Sequence, residues 1–138
     1  MANMTGGCLC GKVRYTISAE PIFTGVCHCA NCQKGTGSAF SVVLAVPSPA
    51  VAATGALTAY VGKGDSGQPT TRKFCPVCGS PISSEAAIMP GVTMIEVGTL
   101  DDAASVNPAM HIYCRSKLDW VIVPEGVGAH QGMPGPPG

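Results

Sequence analysis

Aromatic and charged side chains are both scarce in this chain of 138 residues. Aromatics make up 5% of the sequence and charged residues 12%, and the formal net charge is zero. Because the chain has no basic run and no acidic block, its sequence does not predict a nucleic-acid-binding surface. No apolar run approaches the ~20 residues of a membrane-spanning helix. We therefore expect neither nucleic acid nor a membrane as a partner.

The first residues of the chain also lack the charged and apolar regions of a secretory signal peptide. We therefore expect a cytoplasmic protein, in a compartment where thiols stay reduced. With few large aromatics the core is expected to be thin, and small domains with thin cores often need a metal or disulfides for support. Glycine (18) and proline (12) are plentiful, which predicts many turns and short strands rather than long helices.

Eight cysteines stand out against this background. Seven of them form three groups, named here the first pair (Cys8, Cys10), the triplet (Cys27, Cys29, Cys32) and the second pair (Cys75, Cys78). C-x-C and C-x-x-C spacings place sulfur atoms close together on tight turns, which is the arrangement that binds a soft cation such as zinc. We interpret the seven as metal ligands rather than disulfide partners, because a reducing compartment is expected.

Seven ligands divide naturally into four and three. Structural zinc takes four protein ligands, whereas catalytic zinc keeps three and an exchangeable fourth position. The spacing leaves two divisions open. Either the two C-x-x-C groups, Cys29/Cys32 and the second pair, form an ordinary zinc ribbon, or the two pairs form the closed site and the triplet forms a local site with three thiolates.

The remainder of the chain predicts one mostly β domain over residues 1–123. A polar loop is expected over 62–71, a hairpin over 82–98, and Trp120 in the core. The Gly/Pro-rich residues 124–138 are predicted to form a flexible tail that does not pack. Alternating or continuous apolar residues predict the strands, which are expected within 13–17, 22–27, 40–46, 57–61, 82–87, 92–98, 111–113 and 120–123.

Four blocks of this sequence resemble the glutathione-dependent formaldehyde-activating enzyme family. They are GCLCGKVRY (7–15), CHCANCQKGTGSAF (27–40), RKFCPVCGSPI (72–82) and HIYCRSKLDW (111–120). They occur in the family's order and extend the resemblance over about residues 6–123. The resemblance implies a β-tent fold, in which zinc holds antiparallel sheets together, and two zinc ions. It implies that the two pairs bind the structural zinc and that the triplet binds the open, catalytic zinc.

The resemblance further implies a zinc-dependent carbon–sulfur lyase that acts on thiol–aldehyde adducts, like an S-hydroxymethylglutathione synthase with glutathione and formaldehyde. His28, inside the triplet block, is a candidate acid/base. Lys34 is a candidate for binding a glutathione carboxylate, and Gln33 stands where the family often has a basic residue. Arg72, Lys73 and Lys117 are further cations in the blocks. His111 is predicted to be a packed core residue, and Cys114, which matches no family ligand, a buried free thiol.

Two other functions fit the same sequence. The chain would serve as a non-catalytic zinc-binding interaction module, as the fold does in centromere protein V-like relatives, or as a glutathione carrier that binds without turnover. The complete triplet favours an enzyme, because a purely structural module does not need a site with three ligands.

Overall fold

The computed structural model of this chain describes residues 3–64 and 66–134. Its strands are short, as the abundance of glycine and proline predicts, and its α-helix, α1, covers only Ala30–Thr36. Single 3-10 turns lie at Ser48–Ala50, Val97–Thr99, Ala103–Ser105 and Cys114–Ser116. The strands are β1 (Met4–Gly7), β2 (Arg14–Ile17), β3 (Phe23–Cys27), β4 (Ser41–Pro47), β5 (Val51–Thr54), β6 (Thr58–Lys63), β7 (Pro69–Phe74), β8 (Pro81–Ala86), β9 (Val92–Glu96), β10 (Met110–Ile112) and β11 (Gly128–Ala129).

The strands form two sheets. A small sheet has the order β1-β2-β5, and a large sheet has the order β11-β10-β3-β4-β9-β8-β7-β6. Neighbouring strands are antiparallel except around β10, which pairs in parallel with both β3 and β11. The expected mostly β domain built of antiparallel sheets is therefore confirmed, with a parallel edge on the large sheet.

The main core lies where the small sheet packs against β4, β8 and β9 of the large one. Val13, Tyr15 and Ile17 alternate along the chain and bury their side chains against Leu44 and Ile95. Full burial of one such aliphatic side chain contributes about 1.5–3 kcal/mol. This alternation is the period of two that the sequence shows over 13–17.

The predicted hairpin over 82–98 is present as β8 and β9, in which Ser83 opposes Ile95. The predicted polar loop over 62–71 is wrong in its extent. β6 continues to Lys63 and β7 begins at Pro69, so that Val61 opposes Thr71 in the large sheet. Threonine has a high β propensity, and pairing with β8 on the other side holds β7 in the sheet.

The C-terminal part of the chain differs most from the predictions. Residues 120–123 form no strand, and Trp120 is 73% exposed while its neighbour Val121 is buried. The Lys117 ammonium donates to the carbonyls of Leu118 and Val121, which closes a turn that leaves the indole outside.

The predicted tail packs against the domain as far as the structure describes it. β11 adds to the large sheet beside β10, and Met133 packs against the triplet and Ile112. Main-chain hydrogen bonds of 2.9 Å from Cys114 N to the His130 carbonyl and from His130 N to the His111 carbonyl fix this segment. Backbone pairing offsets the scarcity of large side chains. Residues 135–138 lie outside the described part. Within the described residues, no helix has the length and hydrophobicity needed to cross a membrane.

Candidate metal centres

The two cysteine pairs lie together on two facing turns. The first pair lies in the turn between β1 and β2, and the second pair lies in the turn between β7 and β8. The four sulfur atoms lie within 4.8 Å of one another, with 3.6 Å between Cys8 and Cys10 and 3.8 Å between Cys10 and Cys75. A tetrahedral zinc with Zn–S bonds of ~2.3 Å needs sulfur atoms about 3.8 Å apart. The donor set, here called the tetrad, fits zinc.

A glycine closes each of these turns. Gly11 and Gly79 have φ angles of 82° and 78°, a left-handed conformation that residues with a Cβ rarely adopt. Each glycine N–H donates to the carbonyl of the first cysteine in its turn, Cys8 or Cys75. The Cys8 sulfur also accepts the Val13 N–H at 3.2 Å, a contact that favours its thiolate form. The C-G ending of each motif thus turns both sulfurs inward.

The triplet occupies one short segment that begins at the end of β3. β3 ends at Cys27, Cys29 caps the N-terminus of α1, and Cys32 lies in its first turn. The Cys29 sulfur accepts the Cys32 N–H at 3.2 Å. All three side chains are buried, and their sulfur atoms lie within 4.8 Å of one another. The two clusters show that the chain has two candidate sites for a metal such as zinc.

Hydrogen bonds among the triplet thiols distribute their protons unequally. The Cys27 and Cys32 thiols stabilise the Cys29 thiolate and lower the pKa of Cys29 to about 2. The hydrogen bonds of Cys27 with Cys29 and Cys32 raise the pKa of Cys27 far above its usual range. The hydrogen bond with Cys27 lowers the pKa of Cys32, but the hydrogen bond with Cys29 and burial raise this pKa to about 11. Three neighbouring thiolates thus need a cation in place of the protons, which is the chemistry of a soft metal site.

A pocket of about 100 Å³ opens over the triplet and is named here the triplet pocket. Its wall includes Arg72 of β7 and Glu96 of β9. Arg72 also lines an adjoining groove with Lys34, Lys63 and Tyr60. The triplet pocket therefore continues into a groove that carries three positive charges.

Arg72 packs against α1 because the helix has a glycine there. A Cβ on Gly35 would lie 3.2 Å from Nη1 of Arg72, which is tighter than ordinary contact. The positive charge of Arg72 lowers the pKa of Cys29 after the stronger effect of the neighbouring thiols. The GTG sequence at 35–37 thus allows a guanidinium to lie beside the triplet.

Glu96 lines the triplet pocket and was not among the residues predicted from the sequence. The Ser41 hydroxyl donates to its Oε1 and Oε2 at 2.8 and 3.0 Å. Burial raises the pKa of Glu96, while the Ser41 hydrogen bond and the charge of Arg72 act in the opposite direction. An acidic residue at the end of a mostly apolar strand was the available signal, but it does not reveal which face of the sheet the carboxyl occupies.

The two candidate residues next to the triplet occupy different places. Lys34 is exposed on α1 and lines the cationic groove. The preceding Gln33 points the other way, and its amide donates at 3.0 Å to the carbonyls of His28 and Ser116. Gln33 therefore joins α1 to the C-terminal segment and leaves Lys34 as the neighbouring cation.

His28 is completely buried and does not line the triplet pocket. Its Nε2 lies 2.8 Å from Nδ1 of His111, and the two rings stack. Burial lowers the pKa of both imidazoles, so both are neutral near pH 7. Within the described residues, Nδ1 of His28 has no hydrogen-bond partner. His111 is packed in the interior, as the sequence predicts.

Cys114 lies outside both clusters, in a 3-10 turn, as a free and partly buried thiol. The sequence correctly predicts a free thiol and overestimates its burial. The residue before it, Tyr113, lines the triplet pocket with a φ of 55°. A left-handed conformation is strained for a residue with a side chain. The ring lies beside Arg115, whose guanidinium carbon is 5.4 Å from the ring centre.

A mostly β domain with one cluster of four thiols and one of three defines a class of small protein with two candidate metal sites. The family model "Glutathione-dependent formaldehyde-activating enzyme" matches residues 3–116, and the chain belongs to this family.

Two proteins are similar to this chain, one in sequence and one in structure. A protein of Emericella nidulans, provisionally named as a glutathione-dependent formaldehyde-activating enzyme, is 34% identical over an alignment of 82 residues that covers 56% of this chain and 41% of that protein. This chain matches less than half the length of that relative. A crystal structure of a Rhodobacter sphaeroides protein superposes with a TM-score of 0.59 at 23% identity, over 76% of this chain and 92% of that one. That likeness shows the fold.

Proposed function

We propose that this protein is a zinc-dependent carbon–sulfur lyase that forms and cleaves the adduct of glutathione with formaldehyde. The observation that carries the proposal is the buried triplet at the base of a pocket that continues into a cationic groove. Family membership supports the choice of substrates. Eight free thiols suit a reducing compartment such as the cytoplasm.

The reaction is an addition that balances without a further reactant. The thiol loses its proton, its sulfur forms a bond to the carbonyl carbon, and the π electron pair moves to the oxygen, which takes up a proton. Zinc held by the triplet would supply a position for one more soft donor and would favour the deprotonated form of a thiol. Cys27, Cys29 and Cys32 would hold this ion. The tetrad would hold the structural zinc.

The chain's own cations bind and orient the thiol. Glutathione carries two carboxylates, and Arg72, Lys34 and Lys63 line the groove that leaves the triplet pocket. Arg72 belongs to both cavities, so a carboxylate paired with its guanidinium lies next to the triplet. Such a pair is charge-assisted and can be bidentate, which fixes orientation as well as affinity.

Glu96 is the group in the pocket that is suited to move a proton. Burial raises the pKa of its carboxyl above the usual value, and this favours the protonated form that a general acid needs. Its Oε atoms would give a proton to the carbonyl oxygen and take one back when the adduct is cleaved, while the Ser41 hydroxyl holds the carboxyl in place. In this assignment Glu96 replaces His28, whose ring lies outside the pocket.

Exchange between free and adduct formaldehyde, followed by NMR with glutathione at millimolar concentration, tests the proposal. The zinc-loaded protein should raise the exchange rate well above the uncatalysed rate, and Cys29→Ser should return it to that rate. Unchanged exchange with two zinc ions bound per chain would refute the proposal. Tight glutathione binding without faster exchange would instead support the glutathione carrier. Absence of both glutathione binding and faster exchange would support the interaction module.

A further inference from the structure

We propose that the triplet pocket accepts adducts of aldehydes larger than formaldehyde, with the apolar substituent of the carbonyl carbon against a wall of four apolar side chains. The proposal rests on the proposed thiol–aldehyde chemistry and extends its substrate class. The members of this wall, named here the methionine wall, are Ile88, Met89, Met94 and Met133.

The methionine wall is assembled from three separate parts of the chain. Ile88 and Met89 lie in the turn between β8 and β9, Met94 lies on β9, and Met133 lies in the segment after β11. Ile88 is 47% exposed, and the methionines are half-buried. These four apolar side chains, which line the pocket over the triplet, are therefore open to a ligand rather than filled by the core.

The polar and apolar residues of the pocket serve different parts of an adduct. Arg72 offers a positive charge to the carboxylate of the thiol, and Glu96 offers a proton to the carbonyl oxygen. Neither group suits a hydrocarbon. An adduct R–S–CH(OH)–R′ carries its thiol portion, its oxygen and its R′ group on three separate bonds around one carbon. Once the sulfur and oxygen are placed, R′ is left for the methionine wall, whereas formaldehyde has only hydrogen there and leaves the wall unused.

Methionine side chains suit a site that accepts substituents of several sizes. They are flexible and polarisable, so they adapt to irregular apolar groups. Removal of one methylene from water is expected to raise affinity about fourfold. A pocket of about 100 Å³ has room for a short alkyl chain and not for a long one.

Met133 belongs to a part of this chain outside the family match, which ends at residue 116. It packs against the triplet and Ile112, in the segment that β11 anchors to β10. The C-terminal segment thus supplies part of the wall of the pocket, and its sequence bears on the choice of aldehyde.

Two measurements on the full-length, zinc-loaded protein test the proposal. The first is kcat/KM for adduct formation by glutathione with formaldehyde, acetaldehyde, propanal and butanal, each divided by the uncatalysed rate constant. The second is the affinity for S-methylglutathione and S-butylglutathione, which carry the alkyl group but no free thiol. We expect both to rise with chain length, about fourfold per methylene at most.

The two readouts separate this proposal from the proposed function. One outcome is that the protein catalyses formaldehyde exchange while neither kcat/KM nor affinity rises with alkyl chain length. That outcome would overturn the role of the methionine wall and leave the lyase proposal intact. No catalysis with S-butylglutathione bound more tightly than S-methylglutathione would refute the lyase and support the wall as a binding subsite.

Variants locate the effect. Met133→Ala should lower the butyl-to-methyl affinity ratio about fourfold or more, and Met133→Leu should largely retain it, because leucine keeps the apolar volume. Met89→Ala, in a turn, provides a second test if Met133→Ala disturbs the fold. Ile122→Ala, at a side chain that is 82% exposed, should leave the ratio unchanged. Equal ratios in wild type, Met133→Ala and Met89→Ala would contradict the proposal.

Discussion

The tetrad and the triplet use the same ligand chemistry in opposite structural settings. The tetrad joins two turns that are distant in sequence, since Cys75 follows Cys10 by 65 positions. Its Cys8 and Cys75 belong to the main core, and Cys10 is exposed. The triplet spans residues 27–32, belongs to a second small cluster and lies under a pocket. One cluster connects the sheets, and the other is presented to a ligand.

The difference shows that connectivity, as well as ligand number, separates a structural from a reactive site. A cross-link that closes a loop of about 65 residues removes on the order of 4 kcal/mol of chain entropy from the unfolded state, against on the order of 2 kcal/mol for six residues. A local triplet therefore contributes less to folding. Its three ligands also leave a position for a substrate.

Replacement of single cysteines should have the largest effects and should separate the tetrad from the triplet most clearly. Cys75→Ser should abolish cooperative folding, because structural zinc contributes folding free energy of about 10 kcal/mol or more. Cys29→Ser should retain the cooperative thermal transition, bind one zinc ion per chain instead of two, and lose at least about a hundredfold in exchange rate. Circular dichroism, elemental analysis and NMR exchange measure the three quantities.

Cys114→Ser is the matched control for both variants, because Cys114 lies in neither cluster. It should fold, bind two zinc ions and remain active. If Cys75→Ser and Cys29→Ser lose the same stability, the assignment of one closed and one open site is wrong.

The tetrad and the triplet also differ in how far the sequence predicts them, because one is assembled from distant turns and the other is contiguous. The triplet is contiguous, so its spacing alone indicates that Cys27, Cys29 and Cys32 meet. Spacing could not decide whether Cys8/Cys10 or Cys29/Cys32 joins the second pair, because that depends on how β7 and β8 are placed against β2. Only the family resemblance selected the observed pairing before the structure.

Local sequence patterns are limited in the same way for the fold and for the pocket, because they do not reveal contacts between distant segments. Strands with alternating or continuous apolar residues, such as β2 and β4, were predicted nearly to the residue because their period reports burial. Glu96 and Met133 were not recognised as pocket residues, since no local motif marks side chains that meet only through sheet pairing. Trp120 was misplaced because hydrophobicity does not reveal that a turn at Lys117 leaves it outside.

Removal of the Arg72 charge should weaken thiol binding and leave the tetrad unaffected. For Arg72→Gln we expect the KM for glutathione to rise about tenfold, or ~1.4 kcal/mol, with a much smaller change for 2-mercaptoethanol, which has no carboxylate. Arg72→Lys should recover part of the loss, because the charge remains but the planar fork does not. Steady-state kinetics at two salt concentrations measure this, and the wild-type preference for glutathione should fall as salt screens the groove.

Lys12→Gln is the control, because Lys12 is exposed in the turn that carries the first pair. It should change neither KM. An equal rise in KM for both thiols in Arg72→Gln would show that Arg72 supports the triplet itself rather than the carboxylate of the thiol.

The smallest expected effect concerns the ion pair beside the tetrad. The Arg14 guanidinium and the Thr5 hydroxyl hydrogen-bond to the Asp101 carboxylate and lower the pKa of Asp101 to about 2. Since the unfolded value is about 3.9, the contribution of this carboxylate is complete above about pH 4 and disappears as the pH falls towards 2. Asp101→Asn should therefore be slightly less stable than wild type at pH 7 and indistinguishable from it below pH 2. Asp102→Asn, at the exposed neighbour, should show no such difference, and thermal unfolding across this pH range decides.

Because the ion pair is far from the triplet in sequence and joins β2 to the turn after β9, thiol exchange in Asp101→Asn should match wild type at pH 7. A parallel loss of exchange would mean that the two clusters are energetically coupled.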